Sequence, residues 1–150
     1  MSRIPKDRWT GVQFAGAFPT IRDRVAQGAA ILILEPIFEA DFEENVHAYR
    51  PGRSALDAVS DIQQHLKSGL VHVVDADLAQ YFDTIPHKDL LRSVARRVAD
   101  GKILRLIKLW LKSPILERNG SRGWRQIGSG KSSRQGTPQG GVISPLLANI

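Results

Sequence analysis

Apolar residues recur at helical spacing after Thr20, at Ile21, Val25, Ala29 and Leu32, which predicts a core-facing helix. Thr20 is placed to cap it, Asp23 three residues on closes a capping box, and Pro36 is expected to end or kink it. Ile37, Phe38 and Phe42 carry the apolar contact into a second short segment. Pro51-Gly52 then marks a turn, and Ser54 with Asp57 at the third helical position predicts another capped helix start. Leu56, Val59, Ile62 and Leu66 form the face that this helix is expected to bury, and Gly69 stops it. Residues 1–19 show no clean period and read as irregular or short strands.

The period changes at Leu70-Val71-His72-Val73-Val74-Asp75-Ala76-Asp77, an apolar, β-branched run that predicts a buried strand. Alternation along it puts Val71, Val73, Asp75 and Asp77 on one face, so two carboxylates emerge together at the strand tip. Hard divalent cations such as Mg²⁺ take oxygen ligands and often only one or two protein carboxylates. The same pair would equally mark a plain strand terminus, and this stretch by itself leaves both readings open.

Beyond it, Pro86 and His87 open a helix with Leu90, Leu91, Val94 and Val98 inward, broken at Asp100-Gly101. A second helix follows with Ile103, Ile107 and Leu111 on one side and Trp110 beside them. Ile115–Arg118 and Trp124–Ile127 read as the arms of a hairpin turning through Asn119 to Gly123. The stretch from Gly128 to Gly141 is a loop rich in glycine and short polar residues, able to approach a ligand closely. Gly130-Lys131-Ser132 imitates a phosphate-binding loop, but Arg125 stands where the first glycine belongs and Gly136-Thr137-Pro138 forbids the helix that should follow. Ser144-Pro145 begins a last helix with the chain ending barely two turns on, so the sequence reads as cut.

Composition narrows the classes. With 42% hydrophobic and 24% charged residues, 150 residues suffice for one globular domain. The absence of cysteine excludes disulfides and thiolate metal sites, and no histidine has a partner at zinc-ligand spacing. No apolar run reaches membrane-spanning length and the start leads into no signal-like core, so the expectation is a soluble, cytoplasmic protein. Charge is unevenly placed: residues 1–85 carry 8 Lys and Arg against 12 Asp and Glu, residues 86–150 carry 13 against 3. A basic half of this kind points to a polyanion partner, with Arg96, Arg97, Arg105 and Arg134 as candidate contacts. Arg50 and Arg53 flank the predicted helix start at Ser54, where they either form an anion site or pair with the acidic run Glu39, Asp41, Glu43 and Glu44.

Three stretches then act together: Pro19-Thr20-Ile21-Arg22-Asp23-Arg24 with Leu34-Glu35-Pro36-Ile37-Phe38-Glu39; Tyr49-Arg50-Pro51-Gly52-Arg53-Ser54; and Gly136-Thr137-Pro138-Gln139-Gly140-Gly141 leading to Ser144-Pro145-Leu146-Leu147-Ala148-Asn149-Ile150. With the Asp-bearing segment between them, residues 19–150 resemble group II intron-encoded reverse transcriptases in order and spacing. The resemblance implies an α+β fold: part of a right-hand polymerase, with residues 1–68 as fingers and 69–150 as the start of the palm and a nucleotide-binding loop, helices packed on an incomplete antiparallel sheet. It implies that Asp77 and the Leu78 carbonyl ligate catalytic metal, two Mg²⁺ ions in the intact enzyme. It implies further that Gln80 and Tyr81 meet the triphosphate with backbone amides, that Phe82 walls off a ribose 2′-OH, and that Gln139 and Gly140 hold the incoming nucleotide. The implied partners are intron RNA as template, a DNA primer and deoxynucleoside triphosphates.

The chemistry requires carboxylates from more than one strand. The resemblance places the second set, a Tyr-Ala-Asp-Asp hairpin, after the helix starting at Ser144, followed by the rest of the palm and the thumb. The chain on its own is therefore expected to lack polymerase activity. Phe14-Ala15-Gly16-Ala17-Phe18 and His47-Ala48-Tyr49 depart from the family pattern, Phe14 standing where an arginine would touch the triphosphate. The rival reading is a non-catalytic, maturase-like RNA-binding piece that uses the basic helices after Pro86.

Overall fold

The computed structural model describes residues 13–14, 19–118, 124–127, 133–138 and 140–150. Among them run helices α1 (Ile21–Glu39), α2 (Ala55–Lys67), the four-residue α3 (Tyr81–Thr84), α4 (His87–Ala95), α5 (Gly101–Leu111) and α6 (Ser144–Asn149). Strand β1 (Gln13–Phe14) precedes α1, and β2 (Ile115–Arg118) and β3 (Trp124–Ile127) follow α5. β2 pairs antiparallel with β3, Ile115 opposite Ile127 and Arg118 opposite Trp124, and β1 lies parallel to β2.

Helices α1, α2 and α5 start on side-chain caps that the sequence supplies. The Thr20 hydroxyl accepts from the Asp23 amide at 3.2 Å and donates to the Asp23 carboxylate at 2.6 Å. Ser54 and Asp57 form a reciprocal capping box on α2, and the Asp100 carboxylate accepts from the Lys102 and Ile103 amides to start α5. α1 continues through Pro36 to Glu39 rather than ending there. Pro36 is exposed, so the carbonyl of Leu32 that loses its bond can meet water. α2 stops where Gly69 turns left-handed at φ +97.

One buried cluster joins α1, α4, α5 and α6. Ala30, Leu34 and Phe38 meet Leu90 and Val94, Ile107 and Leu111, and Leu146 and Leu147. The face that α1 buries is not the predicted one: Ile21, Val25 and Leu32 are exposed, and Asp23, Gln27, Ala30, Leu34 and Phe38 are inward. α1 carries apolar residues on both sides, so periodicity could not choose between them. The choice follows the cap at Asp23 and the bond that Gln27 makes to α6.

Two further expectations are overturned. Leu56, Val59, Ile62 and Leu66 of α2 are all exposed, and no residue of that helix is buried. The segment from Leu70 to Leu78 forms no strand, and Val71, Val73 and Val74 stand in solvent. A strand needs a neighbour for its backbone bonds, and no described strand lies alongside this one. The α+β architecture with an antiparallel palm sheet is therefore corrected. The described residues form a helical assembly with a small hairpin and a two-residue flank, and Asp75 and Asp77 belong to no sheet face. None of the described helices is long and apolar enough to cross a membrane.

Burial sets what mutations should cost. Leu34 is 1% exposed and Leu56 81%. Leu34→Ala should lose about 2–5 kcal/mol of unfolding free energy, and Leu56→Ala less than about 0.5 kcal/mol; denaturant titration of the two variants checks this. Acid should act on α2, because hydrogen bonds from the Ser54 hydroxyl and backbone hold the Asp57 carboxyl below its ordinary 3.8. A depressed carboxyl stabilises the folded state above its unfolded value and loses that contribution as pH falls through the lower folded one. Fraying of the first turn of α2 should therefore increase in acid below 3.8, and Asp57→Asn should abolish that pH dependence in amide exchange.

Candidate functional site

The turn from Gln80 to His87 and the segment from Arg134 to Thr137 are joined by main-chain bonds. Thr137 donates its amide to the Phe82 carbonyl at 2.6 Å, Gly136 to Ile85 at 2.9 Å, and His87 to Arg134 at 2.9 Å. Pro86 and Gln135 form an antiparallel bridge between them. The His87 ring, 5% exposed, reaches the Gly136 carbonyl with Nε2 at 2.6 Å. On the other side of the loop the buried Ser144 hydroxyl donates to the Pro138 carbonyl at 2.7 Å and accepts from Thr137 Oγ1 at 2.8 Å. Gln27, 2% exposed, accepts from the Ile143 amide at 3.3 Å and so ties α1 to the start of α6.

Two glycines in this loop have a steric reason. Gly136 sits at φ +86, and a Cβ there would meet the Asp83 carbonyl oxygen at 2.9 Å. A Cβ on Gly141 would lie 2.6 Å from Ser144 Oγ. The backbone of the loop therefore approaches its neighbours as closely as only glycine permits.

The turn presents the aromatic pair. Gln80 is left-handed at φ 52 and starts α3. The Tyr81 hydroxyl donates to the Ala148 carbonyl at 2.8 Å, fastening the turn to α6. Phe82 is half-buried, edge-on to Tyr49 at 6.0 Å and to Tyr81 at 6.1 Å between ring centroids. Gly140, at φ +85, is exposed on the loop. Gln139 lies outside the described residues. The structure thus brings the Tyr81–Phe82 turn and the Gly136–Gly141 loop together through main-chain bonds.

Asp77 and Leu78 are exposed on the irregular segment before that turn. Their oxygens are the donor type that Mg²⁺ takes. Among the described residues, however, no three His, Asp or Glu side chains converge to hold a metal ion. The described donors do not complete a two-ion site.

The arginines divide into two kinds. Arg50 takes the second of its two readings: Nε and Nη2 donate to Glu39 Oε1 at 3.0 and 2.7 Å, and Nη1 donates to the carbonyls of Glu43 and Val46. Its side chain is 6% exposed and its guanidinium lies over the Phe42 ring, so it closes the loop after α1. Arg97 forks onto Asp41, and this bond raises its already high pKa. Arg53, Arg96, Arg105 and Arg134 are exposed. Arg105 borders an open groove of about 460 Å³ between α4 and α5, beside Leu91, Leu104, Lys108 and Leu109.

The sequence assigns no site role to His87, Gln27, Thr137 or Ser144. It marks His87 only as opening a helix, Thr137 only as part of a loop motif, and Ser144 as a cap; in the fold Ile143 holds the cap position and Ser144 works inside the loop network. The detectable signals were a histidine at a helix start and a glutamine within an apolar stripe.

Glycine substitutions test the close approach. Gly136→Ala should destabilise by more than about 1 kcal/mol, since both φ and the Asp83 carbonyl oppose it. Gly28→Ala, with open space around its Cβ in α1, should stabilise by about 0.5–1 kcal/mol. Thermal melts of the pair give the comparison.

Residues 4–150 match the family model described as Reverse transcriptase (RNA-dependent DNA polymerase). Protein YkfC of Escherichia coli is 36% identical over 136 residues, which cover 88% of this chain and 33% of that protein. Group II intron-encoded protein LtrA of Lactococcus lactis subsp. cremoris is 37% identical over 132 residues, 88% of this chain and 20% of that protein. Nuclear intron maturase 2, mitochondrial, of Arabidopsis thaliana is 34% identical over 95 residues, 63% of this chain and 13% of that protein. The chain thus spans a third or less of the length of these relatives. It belongs to the reverse transcriptase (RNA-dependent DNA polymerase) family, in its group II intron-encoded branch.

Proposed function

We propose that this chain forms the nucleotide-facing part of an RNA-directed DNA polymerase encoded by a group II intron. The observation that carries the reading is the main-chain pairing of the Phe82 turn with the Gly136–Gly141 loop. It joins the backbone of the turn that carries the Phe82 ring to a close-approaching glycine loop, the two elements this reading assigns to the sugar and the base. In this reading Phe82 is the wall against a ribose 2′-OH, Gln80 and Tyr81 turn backbone amides toward the triphosphate, and Gln139 with Gly140 holds the nucleotide against the template. Asp77 and the Leu78 carbonyl are this chain's contribution to divalent metal, Mg²⁺ by their oxygen chemistry. The ion would supply charge neutralisation at the transferring phosphate; the described donors do not complete its site.

Partners in this reading are intron RNA as template, a DNA primer and deoxynucleoside triphosphates, met in the cytoplasm. Residues 1–68 take the part of fingers and 69–150 the start of the palm. Phosphate contacts fall to the exposed Arg53, Arg96, Arg105 and Arg134, whereas Arg50 and Arg97 are engaged with Glu39 and Asp41 and act on the fold. The exposed basic residues after Pro86, Arg96 and Arg105 among them, support one second reading, a maturase-like RNA-binding role without catalysis.

Restoring polymerase activity by joining the chain to the remainder of a family member allows the test. Asp77→Asn should cut turnover far more than it weakens nucleotide binding, because a metal ligand acts where charge develops in the transition state. Asp75→Asn should change turnover little, and Phe82→Ala should admit ribonucleotides. An active Asp77→Asn beside a dead Asp75→Asn would shift the assignment by two residues and remove the roles given to Gln80, Tyr81 and Phe82. A joined protein that binds RNA but never incorporates nucleotides would select the second reading.

A further inference from the structure

We infer that His87 is a positioning residue: its imidazole holds the Gly136 carbonyl and thereby sets the Gly136–Gly141 loop against the Phe82 turn. This rests on the nucleotide-site reading for its consequence, but not for its geometry. The Gly136 carbonyl can only accept, so the His87 nitrogen facing it at 2.6 Å, Nε2, carries the proton. Nδ1 is buried with no hydrogen-bond partner among the described residues.

That bond falls at the most constrained point of the loop. Gly136 is left-handed, its amide is fixed to Ile85, and its Cα lies too near the Asp83 carbonyl for any side chain. Fixing its carbonyl as well immobilises both peptide groups around one residue. His87 can do this because its own amide is bonded to Arg134, which anchors the ring's backbone to the same loop. The loop is therefore gripped from one side by His87 and from the other by Ser144. Gly140, two residues beyond Pro138, inherits its position from the two grips.

The test uses the 1–150 chain with His87→Ala, His87→Gln and Val94→Ala. Val94, 0% exposed in the same helix, gives a fold-destabilising control outside the strap. Amide exchange in the peptide spanning 134–141, read against the α5 peptide, should accelerate about tenfold in His87→Ala. It should recover in His87→Gln, whose side-chain N–H₂ can donate to the same carbonyl. Val94→Ala should accelerate both peptides together. Exchange in His87→Ala that changes only in step with α5, or a Gln variant that behaves as Ala, overturns the proposal. A titration with a deoxynucleoside triphosphate and Mg²⁺ separates the two readings. Weakened binding in His87→Ala with recovery in His87→Gln supports both. Absence of binding in the wild type counts against the nucleotide site, while the exchange arm still decides the role of His87.

Discussion

The arrangement depends on a main-chain contact at a glycine. Gly136 passes so close to the Asp83 carbonyl that no Cβ fits, and from that approach the Thr137, Gly136 and His87 amides find their acceptors. Backbone bonds of this kind join segments about 50 residues apart without a sheet. They replace, for these two segments, the strand pairing that usually satisfies buried polar groups. α6 completes the unit, because Ser144 receives the loop and Ala148 receives the Tyr81 hydroxyl.

The hydrophobic core serves this junction. α1 buries a stripe containing Gln27, and that glutamine reaches the Ile143 amide just before α6. Burying an amide side chain is costly unless it is paired; here its pairing fixes which face of α1 turns inward and where α6 begins. Arg50 performs a similar task at the other end of α1, binding Glu39 and two carbonyls of the loop that follows. Aromatic contact from Tyr49 then meets Phe82, so the loop after α1 and the turn share a wall.

Most signals that act within a few residues survived folding, as did the hairpin of β2 and β3, whereas the strand pattern before Asp77 and the apolar face of α2 found no partner among the described residues. The caps at Thr20 and Ser54 and the stop at Gly69 act within a few residues, so their chemistry was readable, whereas Asp100 was legible only as a break and in the fold also caps α5. The inward residues Leu90, Val94, Ile107 and Leu111 were readable too, because α4 and α5 are strongly amphipathic and follow one another directly. Val71 to Asp77 carries the pattern of a strand, but a strand exists only beside another. The face of α2 is equally clear as a pattern and equally without cover among the described residues. At the site, the glycine loop was legible from composition, whereas its grip by His87 and Ser144 was not: both bonds end on main-chain carbonyls, which leave no mark in a sequence.

The most direct test of this account is a nuclear Overhauser map of the wild-type chain combined with exchange of the Thr137 amide. Contacts are expected between the Gly136 α-protons and Asp83 and between the Thr137 amide and the Phe82 backbone, with Thr137 exchanging as slowly as core amides of α5. A Thr137 amide that exchanges as fast as those of the uncovered α2, with no contact across to Phe82, would contradict it.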